Sequence, residues 1–353
     1  MNSKFEQLTQ ESYDKLLLET DLKEQRVQLK LKDAEYKYQL LKKVHLELQD
    51  KYEDMLMISD YRKQTSFPLK GNSLEAKHSN TLIINQFSDW HVEQVVSKAS
   101  VNFLNEYNPD IAKQRVAKLT KNLIKLVNDL CTTNKVSGQV IHLGGDFING
   151  WIHAENIETN AMTPVEATQF ATELLVKSLK TIFEQSKVKK FWILCSVGNH
   201  GRITQKYRYG NAKQTSYETM IYANLIREFA SYKNVEFIFP DAGIGYFDLG
   251  NGEYLRFKHG HEVKFMGGVG GINVPLNRNQ AGWDKTKKAK FNLMCHYHTA
   301  SMPNESTMMN GSLVGYDGFA MTHGFKKQEA CQSLILYNSK YDFTGFYRVS
   351  AEV

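Results

Sequence analysis

From Thr81 onward, short apolar runs alternate with amphipathic stretches long enough to be helices, and this alternation restricts the architecture more than any other feature of the chain. Candidate strands are Leu82 to Phe87, Gln139 to Leu143, Lys190 to Val197, Val235 to Phe239, Tyr254 to Lys258 and Phe291 to Cys295. Helical patterns at about 110 to 133, 164 to 187 and 214 to 232 separate the first four, each long enough to carry the chain back across a parallel sheet. After Val235 strands dominate, and Gln332 to Tyr337 and Thr344 to Val349 close the chain, so a second sheet packed on the first is expected.

The segment before Thr81 is of another kind. Residues 6 to 63 contain neither proline nor glycine and are rich in Leu, Lys, Glu and Gln, the composition of a long helix. Leu22, Leu29, Tyr36, Leu40, Val44, Leu48, Tyr52 and Met55 recur at spacings of three, four or seven, which makes one apolar stripe. Such a helix cannot bury its stripe against itself. The spacing predicts a coiled-coil arm over 1–66 that sets an oligomeric state, the alternative being an arm packed on its own catalytic domain. Pro68 ends the arm, and 67–80 reads as a linker before a domain spanning 81–353.

With 353 residues and 42% hydrophobic content the chain can bury a large core, which excludes a disordered protein. It shows neither a signal-peptide pattern at its start nor an apolar run of the roughly 20 residues that spans a bilayer, so a cytoplasmic, non-membrane protein is expected. The four cysteines are scattered, which fits a reducing compartment and argues against structural zinc. The net charge of +6 belongs entirely to the part after residue 70, where 31 Lys and Arg face 25 Asp and Glu. A polyanionic partner such as nucleic acid suits that excess.

Polar motifs follow the strands at their C-terminal ends, where the loops of an α/β sheet converge on a ligand crevice. Asp89-Trp90-His91 follows the first strand, and its two outer residues face one point if the segment is extended. Gly144-Gly145-Asp146 follows the second, with glycines that permit a tight turn beside a carboxylate. Gly198-Asn199-His200 follows the third, offering an amide oxygen and an imidazole. His259-Gly260-His261 and His296-Tyr297-His298 follow the fifth and sixth. Any one of these is common by chance; five in this order point to a metal site.

The series DxH, GD, GNH, HG and HxH resembles the calcineurin-like metallophosphoesterase superfamily over about residues 81 to 350, with nucleases of the Mre11 and SbcD type among its members. The resemblance implies a β-sandwich of two packed mixed sheets flanked by helices. By position it further implies that Asp89, His91 and His298 hold one metal, that Asn199, His259 and His296 hold a second, and that Asp146 bridges both. His261 is an alternative to His259 or a supporting group. Mixed carboxylate, imidazole and amide donors suit Mn²⁺, Fe²⁺ or Zn²⁺ better than cations that prefer oxygen alone, with Mn²⁺ the first expectation. Two such cations about 3.5 to 4 Å apart activate water as hydroxide for in-line attack on phosphorus. His200 resembles the family's non-ligand histidine, a general acid.

Two residues depart from the family pattern. Gly201 stands where an Asp or Glu usually follows GNH, which removes the expected acidic neighbour of His200, and Cys295 stands where glycine commonly precedes HxH. Arg202, Lys206 and Arg208, interleaved with Tyr207 and Tyr209, are the candidate substrate-phosphate and base contacts, a solvated loop being the alternative. The run Gly267 to Gly271, with Arg278, Lys285, Lys287 and Lys288 after it, reads as a mobile loop over the site. Asn310-Gly311-Ser312 reads as part of the pocket rim. A DNA phosphodiesterase of nuclease type is the leading expectation, with a phosphomonoesterase and a non-catalytic scaffold as alternatives.

Overall fold

The computed structural model describes residues 12, 15, 18, 21–23, 25–43, 80–250, 252–265 and 271–353. The chain divides into two units, Met1–Lys70 and Gly71–Val353, and each is described by itself. In the first, residues 25–43 are helical (α1), and Leu29, Tyr36 and Leu40 are exposed on it. The later stripe positions Val44, Leu48, Tyr52 and Met55, the expected linker at 67–79, His45, His78 and the glycines at 267, 268 and 270 lie outside the described residues.

The second unit is a mixed α/β fold with two mixed sheets, as its alternating pattern predicts. Strands β1 (Thr81–Phe87), β2 (Val136–Leu143), β3 (Phe191–Cys195) and β4 (Val235–Ile238) lie side by side in parallel. They are linked by α2 (Pro109–Thr133), by α3 (Ala154–Thr159) with α4 (Pro164–Gln185), and by α5 (Glu218–Glu228). Antiparallel strands β10 (Cys331–Asn338) and β11 (Asp342–Ser350) extend the sheet beyond β1, giving the order β11-β10-β1-β2-β3-β4. The second sheet has the order β5-β6-β7-β9-β8, built from β5 (Gly245–Gly250), β6 (Glu253–Phe257), β7 (Phe291–Met294), β8 (Ser301–Asn304) and β9 (Thr307–Met309).

Period-two alternation divides β1 between two cores. Leu82 and Ile84 join Val140, Trp192 and Leu194 against Phe247, Leu255, Phe257, Phe291 and Leu293 of the second sheet. Ile83 and Phe87 point the other way, into a core with Leu119 and Leu123 of α2 and Leu175 and Leu179 of α4. Two buried faces explain why apolar residues stand at both odd and even positions of these strands. The helices start where capping predicts: Asn108 accepts from Ile111 N–H ahead of Pro109, and Thr163 forms a reciprocal capping box with Glu166 ahead of Pro164.

Strands β8 and β9, the short helices α3 and α7 (Gly318–Thr322) and three longer elements differ from expectation. Helix α6 (Asn273–Asp284) occupies much of the stretch read as a loop, and its Leu276 packs on Val263, Met294 and Met309. Its pattern is weak because Gly282 and several asparagines interrupt it. Strand β5, with a glycine at each end, was not legible as a strand, and α5 begins four residues later than its pattern suggested.

Candidate metal centre

Each motif sits where a strand of one sheet ends beside a strand of the same direction. Asp89, Asp146 and Asn199 follow β1, β2 and β3, which are adjacent and parallel; His259 and His296 follow β6 and β7, also adjacent and parallel. Main-chain hydrogen bonds stitch the loops together. Asp89 N–H donates to Gly145 O (2.9 Å), His91 N–H to Asp146 O (3.1 Å), and Cys295 N–H to His259 O (2.7 Å).

Two sets of potential ligand atoms result, Asp89 with His91 and His298, and Asp146 with His259 and His296, each set lying within 4.8 Å of itself. In the first, His298 Nε2 is 3.3 Å from His91 Nε2 and 3.4 Å from Asp89 Oδ1. In the second, Asp146 Oδ2 and His259 Nε2 form an ion pair at 2.9 Å, and neither atom has another partner. Two such groups that face each other with no other partner suit ligands of one cation. Asn199 Oδ1 is likewise buried without a partner. Leaving such groups unpaired costs about 1–3 kcal/mol each, a penalty that a cation removes. The donor set of oxygen and imidazole nitrogen thus fits divalent metal.

The backbone is strained where these side chains project. Asp89, His91, Asp146, His296 and His298 all adopt positive φ, from 42° to 75°, and they make up five of the eight non-glycine residues that do so among the described residues. Such conformations cost of order 1–3 kcal/mol each and persist where surrounding contacts hold them for function. The DxH pair therefore converges through left-handed turns, not through the extended segment that its spacing suggested.

Hydrogen bonds settle which nitrogen of two histidines is free. His259 Nδ1 faces Gly144 O at 2.7 Å, so it carries the proton and leaves Nε2 for a metal. His200 Nδ1 faces Asn149 O at 2.9 Å, which again leaves Nε2 free, and its ring lies edge-on to His91 with centroids 4.7 Å apart. Burial, reinforced by the neighbouring His200, holds His91 well below the ordinary histidine range. Burial also pushes His296 down to about 3, so both are neutral as ligands must be. At His259 and Asp146 burial opposes charge, and their mutual attraction overrides it: His259 rises to about 10 and Asp146 falls well below the carboxylate range. Metal entry there must displace a proton.

Asp89 is oriented by a buried polar chain. Ser88 Oγ donates to Asp89 Oδ2 (2.5 Å), Asn310 Nδ2 donates to Ser88 Oγ (2.8 Å), and Gln332 Oε1 accepts from Ser88 N–H (2.9 Å). Asn310 is thus fully buried beneath the site, not on its rim. Cys295 seats against Gly144, where an added Cβ would lie 2.2 Å from its sulfur.

Two further carboxylates carry no sequence signal. Glu93 accepts from Asn149 N–H (2.8 Å) and Gly150 N–H (2.7 Å), and Glu218 from Phe147 N–H (2.8 Å) and Gly198 N–H (2.6 Å). Burial raises Glu93 to about 7 and Glu218 to about 8. Neither stands in a motif, and only the chain's return places them under the metal loops.

Of the expected substrate contacts, the Arg202 guanidinium donates to the carbonyls of Asn199 (2.6 Å), Thr204 (3.1 Å) and Gln205 (3.3 Å), an arrangement that braces its own loop. Lys206 and Arg208 are exposed, and Tyr207 packs on His261 with centroids 4.1 Å apart. His261 stands beside the second ligand set, its ring centroid 6.1 Å from that of His296.

No protein-family model matches the sequence, and no curated protein does. Among solved structures, the sulfate thiohydrolase SoxB of Thermus thermophilus aligns with a TM-score of 0.33 and 8% identity over 79% of this chain and 58% of that one. The calcineurin-like phosphoesterase YfkN of Bacillus subtilis aligns with a TM-score of 0.30 and 10% identity over 78% of this chain and 92% of that one. The chain therefore spans under two thirds of the first of these. At such scores the likeness is too slight to assign chemistry, which the side chains themselves must do.

Proposed function

We propose that this protein is a metal-dependent phosphoester hydrolase with two divalent cations, of the calcineurin-like metallophosphoesterase type, and that its substrate is a phosphodiester of DNA. The observation that carries the reading is the pair of adjacent donor sets, Asp89/His91/His298 and Asp146/His259/His296, with the unpartnered Asn199 Oδ1. Asp89, His91 and His298 would hold one ion and Asn199, His259 and His296 the other, with Asp146 shared between them. Manganese is the proposed metal on the strength of the mixed donors.

When bound, the cations supply charge that polarises a phosphoryl oxygen and activates an attacking water. His200 contributes the proton. Asn149 O holds its Nδ1–H, so Nε2 is the atom that gives the proton to the departing oxygen. Burial lowers the pKa of this ring. A phosphate anion beside it works the other way, so the acid form arises with substrate in place. Support for DNA comes from the basic excess after residue 70 and from exposed Lys206, Arg208 and Tyr209 near the site, which suit phosphate contact and base stacking. Retention of every donor the chemistry needs speaks against a non-catalytic scaffold.

The test is hydrolysis by purified protein with Mn²⁺ of single- and double-stranded DNA, bis-p-nitrophenyl phosphate and p-nitrophenyl phosphate. Diesters should be cleaved in preference, and His200→Ala should slow the reaction by roughly 10²–10⁴-fold. Preference for the monoester would sink the DNA reading. Retention of full activity and metal content by Asp146→Asn would sink the metal centre itself.

A further inference from the structure

The loops that carry Asp146 and Asn199 are in backbone contact. A Cβ on Gly145 would lie 2.3 Å from Gly198 N, and one on Gly198 would lie 2.0 Å from Asp146 Oδ1. Contact that close leaves little room between the loops; His200 N–H donates to Asp146 Oδ1 across them (2.8 Å), and a further group outside can hold the register. Glu218 is placed to do so. It is fully buried at the start of α5, and its two oxygens divide between the loops: one accepts from Phe147 N–H, the residue after Asp146, and the other from Gly198 N–H, the residue before Asn199.

The chain builds this arrangement locally. Tyr217 N–H donates to Gly201 O (2.8 Å) and Ile203 N–H to Thr215 O (2.9 Å), so the segment entering α5 is paired with the segment leaving the Gly198-Asn199-His200 turn. That pairing lays the Glu218 stem across Gly201, where an added Cβ would lie 2.7 Å from Glu218 Cγ. Gly201 is thus the residue whose missing side chain makes room for Glu218. The carboxylate that fills this space comes from seventeen positions beyond Gly201 along the chain.

We propose that Glu218 is the positioning residue of the metal centre, a single carboxylate that ties the Asp146 loop to the Asn199 loop and so sets two ligands at once. This rests on the reading of the site as a dinuclear metal centre. Groups that orient metal ligands in this way affect metal affinity by about 10–100-fold. Glu218 touches neither substrate nor ion, and its effect passes through Phe147 and Gly198.

The experiment measures Mn²⁺ binding by calorimetry on chelator-treated full-length protein, with circular dichroism to establish folding. Wild type is compared with Glu218→Gln, Glu218→Ala, Gly201→Glu and the double variant Gly201→Glu/Glu218→Ala. Wild type should take up two ions. Each single variant should lose about 10–100-fold in affinity for at least one ion. The double variant, with its carboxylate moved to the other side of the same space, should regain most of that loss. Rescue by relocation distinguishes a tie between two loops from generic core packing. If Glu218→Ala does not fold, Glu218→Gln decides, because it keeps the volume and alters only the acceptors. Two ions bound with unchanged affinity by the Gln variant, or a double variant no better than Glu218→Ala, overturns the inference and leaves the metal centre standing. A wild-type protein that takes up no ion overturns the metal centre and this inference with it.

Discussion

At the scale of single residues, the site is built from groups held in costly states. Asp89 and Asp146 are fully buried carboxylates on left-handed backbone, and Glu93 lies as deep two residues beyond His91. Each is kept by hydrogen bonds from the neighbouring loops. Glu93 has the more measurable consequence. Burial raises its pKa from 4.5 to about 7 against the pull of the Asn149 and Gly150 N–H groups. Between those values the folded protein binds the proton more tightly than the unfolded chain does. Its contribution to stability is therefore greatest in acid and falls as pH rises through that window, by about 3 kcal/mol. The melting temperature of metal-free wild type relative to that of Glu93→Gln should fall from pH 4.5 to 7; a difference between the two that does not change with pH would exclude the contribution of Glu93. His200 depends on the same residue indirectly, since Glu93 holds the turn whose Asn149 carbonyl orients the imidazole.

At the scale of elements, α2 does more than cross between strands. Its Arg115, 3% exposed, donates to Leu313 O (2.9 Å), Val314 O (2.7 Å), Asn105 Oδ1 (2.9 Å) and Glu352 Oε2 (3.1 Å). The segment it clamps also bonds the first motif, because Leu313 N–H donates to Asp89 O at 3.0 Å. One helix residue thus joins the segment after the chain's last strand, the segment after the last candidate metal motif and, through Leu313, the backbone of Asp89. Replacement by methionine keeps much of the stem's packing but leaves two carbonyls and a carboxylate without their donor. Arg115→Met should destabilise the fold by about 1–3 kcal/mol in urea denaturation, the range for leaving buried acceptors without their donor. A loss under about 1 kcal/mol, typical of a surface pair, would show that the clamp is not needed.

At the scale of the whole molecule, the arm is the part whose chemistry is unfinished. Leu22, Leu29, Tyr36 and Leu40 are between 49% and 70% exposed, which leaves a helix with an apolar stripe and water against it. Packing such a stripe against a second copy buries apolar surface worth roughly 25 cal/mol per Å². The full chain should therefore self-associate through the arm, and light scattering should give a mass above that of one chain that falls on Leu29→Asp/Leu40→Asp. A wild-type protein that is monomeric at tens of micromolar would remove the coiled-coil reading. Among the described residues no helix is long and apolar enough to cross a membrane.

Local chemistry made much of this protein legible before any coordinates. The parallel strands announce themselves because both faces of each are buried, so apolar residues stand on both faces of β1 and β2 and fill β3, and the caps at Asn108 and Thr163 mark helix starts through hydrogen bonds made within a few residues. The candidate metal-ligating residues are legible for a similar reason: each follows a strand, and strand ends are where loops meet. Tertiary structure alone decided what depends on chain return. It turned Asp89 and His91 toward one point through left-handed backbone, made a helix of Asn273–Asp284 by covering Met294 and Met309, and buried Asn310 beneath Asp89. It also brought Glu218 to the space beside Gly201. A buried carboxylate held by distant amides leaves no periodicity or spacing in the sequence, because its partners are backbone groups that every residue except proline possesses.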